Sequence, residues 1–256
     1  MLNQIRTAAF NRLSKRFYYG WVILAVTMLG MFGTGPGQSH LIGIFFDPLS
    51  LDLDLPRSSI AAAYGSATLI AALLLPQIGK LIDRFGAAGL LWVLILGLGL
   101  AAMVFSLAFN WIFIAIGFGF LRFLGQGSMM LTCSNMVSQW FEEKRGFALG
   151  LMSLGFPISM AVHPPLAQWM IEQVGWRESW LWFGAATWVL LLPPVMVLLF
   201  SKPEEVGLRP DGREMKETAG DSKIIEGLTL SEALRTPAFY IICCGLFSLS
   251  MLVTSL

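Results

Sequence analysis

Arg122 stands in the stretch GFGFLRFLGQGS (117–128), and no other charged residue lies between 85 and 141. A cation at the centre of an apolar helix costs about 2.5–3.5 kcal/mol on insertion scales, and more by other estimates. Such a group has three candidate jobs. It can attract an anion, it can serve proton coupling or gating, or it can tie its helix to backbone carbonyls of a neighbour. Two histidines share the apolar setting. His40 follows Gln38 and Ser39, and His163 precedes Pro164 and Pro165. Imidazole titrates near neutral pH, so each can carry a proton, and each can equally be a satisfied packing group. No Asp or Glu lies within any long apolar run, which leaves no carboxylate proton relay at membrane depth. There is no glycine-rich nucleotide loop and no metal-spaced His/Cys set. The chain therefore reads as no enzyme, with no cofactor and no metal.

The elements that must position these groups follow from the charge pattern. Of 256 residues, 56% are hydrophobic and 13% charged, against about 25% charged in soluble domains. The runs 58–79, 85–121, 123–141, 146–171, 179–201 and 236–256 carry no charge. About 20 apolar residues cross a bilayer as a helix. The run 85–121 is too long for one crossing, and Phe109-Asn110-Trp111 divides it. The spans are 20–46, 58–78, 88–109, 112–138, 146–171, 179–200 and 237–256, an all-α polytopic membrane protein. Cys133, Cys243 and Cys244 fall inside spans and imply no disulfide framework. Trp21, Trp92, Trp111, Trp140, Trp169, Trp176 and Trp180 fall near span ends, where tryptophan anchors at the interface.

Orientation follows from the cations. Segments 1–19, 79–87, 139–145 and 201–235 hold fourteen Lys and Arg, and the opposite loops hold only Arg57 and Arg177. Positive charge favours the cytoplasmic side, which puts the N-terminus inside. The basic start followed by an apolar run has a cleaved signal peptide as its rival, but span 1 is too long for one. A net charge of +1 makes no case for nucleic acid. The polar stretch 201–235 suits a flexible linker between membrane halves and an ordinary long loop equally. Its end, LTLSEALRTPAF, reads as a short surface helix with a capping box from Thr229 to Glu232, and Pro237 opens the last span.

After the second span stands Gly79-Lys80-Leu81-Ile82-Asp83-Arg84-Phe85-Gly86. This G-x-L-x-D-R-x-G pattern resembles the loop motif of the major facilitator superfamily. Asp83 can cap a helix or pair near Arg84 and so latch the inner face. The family's following basic residues are replaced by Ala87 and Ala88. Arg122, Gln126 and Gly127 resemble the family's R-x-x-x-G-x-G in span 4, with the first glycine shifted to Gly125. QWFEEKRGFALG (139–150), GWRESW (175–180) and KPEEVGLRPDG (202–212) resemble the monocarboxylate and oxalate/formate transporter branch. Span 5 has Gly150, Gly155 and Pro157 but lacks the G-P-x-x-G-G of drug/proton antiporters.

The resemblance implies twelve spans in two six-helix bundles. On that basis 1–19 is a cytoplasmic segment and 20–200 a six-span bundle of two inverted three-helix repeats. The central linker is 201–235, and 236–256 starts the second bundle. The chain is then a partial transporter whose partners are the rest of that bundle, the lipid bilayer and a small solute, in the plasma (inner) membrane. Spans 1 and 4 correspond in the repeats. Both are Gly/Pro-interrupted, at GTGPGQS (33–39) and at 117–128, the pattern that points to a transport site. The glycines also suit plain close packing. The expected pathway residues are Gln38, Ser39, His40, Arg122, Gln126 and His163, with Gly79, Asp83, Arg84 and Gly86 forming a gating loop. The implied function is secondary transport of a small organic anion, a mono- or dicarboxylate, by alternating access. The alternatives are a neutral or drug-like solute on the same fold, and a non-transporting membrane scaffold or receptor.

Overall fold

The computed structural model describes residues 2–212, 232 and 234–255. They form two units that part between Met215 and Lys216. The capping box at Thr229 and most of the 201–235 linker lie outside the described residues. Among the described residues of the second unit the long element is α12 (Pro237–Ser255), opened by a proline whose fixed φ suits the first helical position.

The described part of the first unit is built of helices joined by short turns. A short helix, α1 (Leu2–Leu13), precedes α2 (Gly20–Phe32). Span 1 then breaks. A 3-10 turn covers Gly35–Gly37, Gln38 is extended (φ −96°, ψ 146°), and α3 (Ser39–Ile42) and α4 (Phe46–Leu53) resume beyond it. α5 (Arg57–Leu74) and α6 (Pro76–Phe85) make span 2, and α7 (Ala87–Phe105) makes span 3. Span 4 is α8 (Trp111–Leu121), a π-helical segment (Arg122–Met129) and α9 (Met130–Trp140). α10 (Arg145–Ser153) leads into α11 (Gly155–Leu198). At about 1.5 Å per residue α11 is roughly twice the bilayer core. Gly175, with φ 84° and ψ 165°, divides it into two crossings at 155–174 and 176–198. That backbone is open to glycine and strained for other residues.

The structure corrects the expected loop at 79–87. Helix α6 runs through Phe85, and the turn is Gly86 alone, with φ 77°. The reason is amphipathic spacing: Ile78 and Ile82 are buried one turn apart, while Lys80, Asp83 and Arg84 are exposed on the other face. Asp83 and Arg84 do not pair. The Arg84 guanidinium lies 5.2 Å from the Phe85 ring centre. Three tryptophans assigned to the interface, Trp140, Trp176 and Trp180, are core residues instead. Trp140 and Trp180 are fully buried, and Trp180 packs between Phe45 and Phe105 at 4.7 and 4.9 Å.

Each end of the bundle has its own ties. At one end Arg6 donates to the Leu199 carbonyl (2.6 Å), Tyr18 to that of Trp140 (2.6 Å) and Trp140 to that of Phe200 (3.1 Å). Asp211 Oδ2 accepts the backbone N–H groups of Glu142 and Glu143 at 2.9 and 2.7 Å. Burial, with the Asp211 charge adding to it, pushes the Tyr18 phenol above its ordinary range, so it stays a donor. At the other end Arg57 pairs with Asp47 and Arg177 with Asp52, each at 2.8 Å. Arg177 also donates to the Ser106 and Ala108 carbonyls.

Candidate functional site

The break in span 1 and the π segment of span 4 meet. A Cβ built on Gly125 would lie 2.9 Å from Gly37 Cα, 3.1 Å from Gly37 N and 3.2 Å from the Thr34 carbonyl oxygen. Two backbones come this close only where neither carries a side chain. The π segment widens the backbone register from four residues to five, and the Ser128 side-chain hydroxyl donates to the Phe123 carbonyl within it (2.6 Å). Such irregular turns mark functional sites with some frequency.

Arg122 is the first residue of that segment and is 9% exposed. Its Nε donates to Thr68 Oγ1 (3.2 Å) and its Nη1 to the Gly37 carbonyl (3.2 Å) and Ser39 Oγ (3.3 Å). The guanidinium lies 5.1 Å from the centre of the Tyr64 ring, whose hydroxyl donates to Ser39 Oγ at 2.8 Å. The tie to a span 1 carbonyl foreseen for Arg122 is therefore present. Every one of these acceptors is neutral, so the bonds orient the cation without supplying a countercharge from among the described residues. A cavity of about 500 Å³ opens beside it, lined by Thr68, Arg122, Gln126 and Ser134 among apolar groups. Gln126 Oε1 is buried with no partner among the described residues. A second cavity of about 570 Å³, between α7 and α8, is lined by apolar side chains and glycines alone and has nothing to fix a charged ligand.

The other expected residues sort into four places. Ser39 joins Arg122. Gln38 is buried and turns back to donate to Thr34 Oγ1 at 2.9 Å, so it braces the break. His40 and His163 come together across Ser159, which stands 3.3 Å from His40 Nε2 and 2.9 Å from His163 Nδ1. Gly79 lies in the first half of α6, Asp83 and Arg84 in its last turn, and Gly86 forms the turn into span 3. Thr68, Tyr64 and Ser159 were missed by reading the sequence. The signal for the first two was their four-residue spacing on an alanine-rich helix, which puts both hydroxyls on one face.

The profile described as Major Facilitator Superfamily matches residues 20–256. Among curated proteins, monocarboxylate transporter 6 of Homo sapiens is 27% identical over 168 residues, covering 65% of this chain and 33% of that protein. An uncharacterized MFS-type transporter of Escherichia coli, YhjX, is 26% identical over 87% of this chain and 52% of its own length. The oxalate:formate antiporter of Oxalobacter formigenes is 22% identical over 93% of this chain and 53% of its own length. The chain thus spans about half or less of the length of each of these relatives.

Proposed function

The chain belongs to the major facilitator superfamily, and from that premise we propose that it serves secondary transport of a small organic anion, a mono- or dicarboxylate. It does so as the first six-span bundle of an alternating-access carrier. The observation that carries this reading is Arg122, a buried guanidinium whose acceptors are two hydroxyls and one carbonyl. It sits beside a cavity of about 500 Å³, at the junction of the two interrupted spans. A carboxylate entering there supplies the missing countercharge and matches the planar fork of the guanidinium. Two relatives are named for monocarboxylates and for oxalate and formate, and a third, 27% identical over 57% of this chain, is named a probable sulfoacetate transporter. All of these are small acids.

The test is uptake into proteoliposomes holding the full gene product. Labelled oxalate, formate and lactate should enter faster than into protein-free vesicles, and each unlabelled acid should compete. Neutral solutes of the same size should not. Uptake of a neutral solute without competition by any acid would replace this reading with the neutral-substrate one.

In this reading the carrier sits in the plasma (inner) membrane with its N-terminus inside, on the strength of the fourteen-to-two cation bias. Glu178 and Lys202 are both exposed, Glu178 beside the Gly175 turn and Lys202 four residues past the end of α11. In a background freed of native cysteines, Glu178→Cys should react with an impermeant maleimide on intact cells. Lys202→Cys should react only after permeabilisation. Labelling of both from outside would reject the orientation.

A further inference from the structure

Helix α1 plays no part in the anion site, yet the bundle holds it firmly by one face. Arg6 donates to the Leu199 carbonyl (2.6 Å), and its guanidinium stands 4.5 Å from the centre of the Phe200 ring. Phe10 meets Tyr19 and Phe200 edge-on, with ring centres 5.0 and 5.9 Å apart. Leu13 is partly buried against the same core. Positions 6, 10 and 13 are spaced by four and three, which puts them on one side of the helix. Away from that side the chain changes character. Ile5 and Phe17 are 46% and 45% exposed, and Arg12, Lys15 and Arg16 are exposed beside them. No side-chain hydrogen bond or ion pair joins those three cations to another described residue. No Asp or Glu occurs before Asp47.

The docking contacts also fix the depth of α1. Leu199 directly follows α11, and Tyr19 directly precedes α2, so α1 bridges the ends of spans 1 and 6. Span 6 leaves Val189, Leu190 and Met196 uncovered. Such side chains on a membrane-crossing helix suit contact with acyl chains. Met196 is three residues from Leu199, about 5 Å along the helix axis. The helix therefore lies at the edge of the hydrocarbon, where headgroups begin.

We propose that α1 and the turn after it form a binding surface for anionic lipid headgroups in the leaflet at that end of the bundle. Arg12, Lys15 and Arg16 take the headgroup phosphates, and Ile5 and Phe17 enter the acyl boundary next to them. Interfacial helices combine cations with bulky apolar groups in this way. Water alone would suit the cations and leave Ile5 and Phe17 exposed at a cost. Hydrocarbon alone would suit those two and strand the cations. Only a surface where phosphate and acyl chain meet serves both, and the absence of acid from the first 46 residues leaves nothing there to repel it. Bound lipid presses α1 onto Tyr19, Leu199 and Phe200 together, so it should stabilise the junction of spans 1 and 6. The proposal does not depend on which solute the carrier moves.

The test is thermal unfolding of the full gene product in detergent, with phosphatidylglycerol or phosphatidylcholine added over a concentration series. Phosphatidylglycerol should raise the melting temperature of the wild type saturably and phosphatidylcholine should not. Sodium chloride at about 0.5 M should remove most of the difference by screening. Arg12→Gln, Lys15→Gln and Arg16→Gln should weaken the apparent affinity roughly fivefold for each cation removed, and roughly a hundredfold together. Arg12→Lys with Arg16→Lys keeps the charge and should stay near wild type. The control removes three exposed cations elsewhere, as Lys80→Gln, Arg84→Gln and Lys202→Gln together, and should cost far less. In a background freed of native cysteines, a polarity-sensitive fluorophore on Ile5→Cys should shift to the blue in phosphatidylglycerol vesicles. Spin-labelled lipid should quench it. Equal responses to the two lipids, an equal loss in the control triple variant, or a fluorophore that reports water and escapes quenching would each overturn the proposal.

Discussion

Arg122→Gln in the full gene product should weaken anion binding by roughly tenfold to a hundredfold, and Arg122→Lys should recover only part of that loss. Hydrogen bonds to charged groups contribute about 1.5–3 kcal/mol each, and about 1.4 kcal/mol is a factor of ten in affinity. Glutamine keeps a donor but no charge. Lysine keeps the charge but presents a point donor instead of a fork. Its three N–H groups radiate from one nitrogen and do not reproduce the separate Nε and Nη1 positions from which Arg122 serves Thr68, Gly37 and Ser39. Some loss of folded yield is expected in both variants, because the bond to the Gly37 carbonyl joins span 4 to span 1. The decisive quantity is therefore the dissociation constant of the folded fraction, measured by anion-induced thermal stabilisation over a concentration series. If the folded Gln variant binds oxalate, formate and lactate as the wild type does, Arg122 is a structural tie alone and the anion reading loses its main support.

Much of this arrangement was legible in the chain because charge and bilayer thickness are coarse, unambiguous signals. Runs without charge, cut at Asn110 and by the Gly175 region, separate the crossings, and the paired interruptions in spans 1 and 4 do lie against each other. What stayed hidden depends on which neighbour a face meets. The 79–86 stretch contains two glycines and three charges, which suggested a loop. Its buried Ile78 and Ile82 nevertheless make it one more amphipathic turn of helix. Trp140 and Trp180 stand near span ends, as interface anchors do, yet rings from other spans cover them completely. Gln38 and Gln126 share a residue type and flank the same junction. The amide nitrogen of one donates to Thr34, and the other has a buried oxygen with no partner among the described residues. Ser159 was overlooked because a serine in an apolar helix commonly bonds its own backbone. Only the fold brings His40 to its other side.

The largest structural effect should come from closing the gap between Gly37 and Gly125. A Cβ on Gly37 would press on the Leu121 carbonyl oxygen and lie 2.9 Å from Gly125 Cα and 3.1 Å from Gln126 N. All three neighbours are backbone, so no rotamer change relieves the contact and the two spans must separate. Replacing a helical glycine by alanine is worth up to about 1 kcal/mol in the opposite sense, while overpacking costs about 1–3 kcal/mol and sometimes more. With nothing soft to give way, the clash wins. Gly150→Ala is the control, since its added Cβ meets nothing within 4 Å and should be neutral or slightly stabilising. In thermal unfolding of detergent-purified protein, Gly125→Ala and Gly37→Ala should melt well below wild type, and Gly150→Ala should not. The same displacement draws the Gly37 carbonyl and Ser39 away from Arg122. The surviving folded protein should therefore also bind the anion more weakly, although neither glycine offers the ligand a side chain. If Gly125→Ala melts as high as Gly150→Ala, the two interrupted spans do not touch here, and the placement of Arg122 falls with the contact.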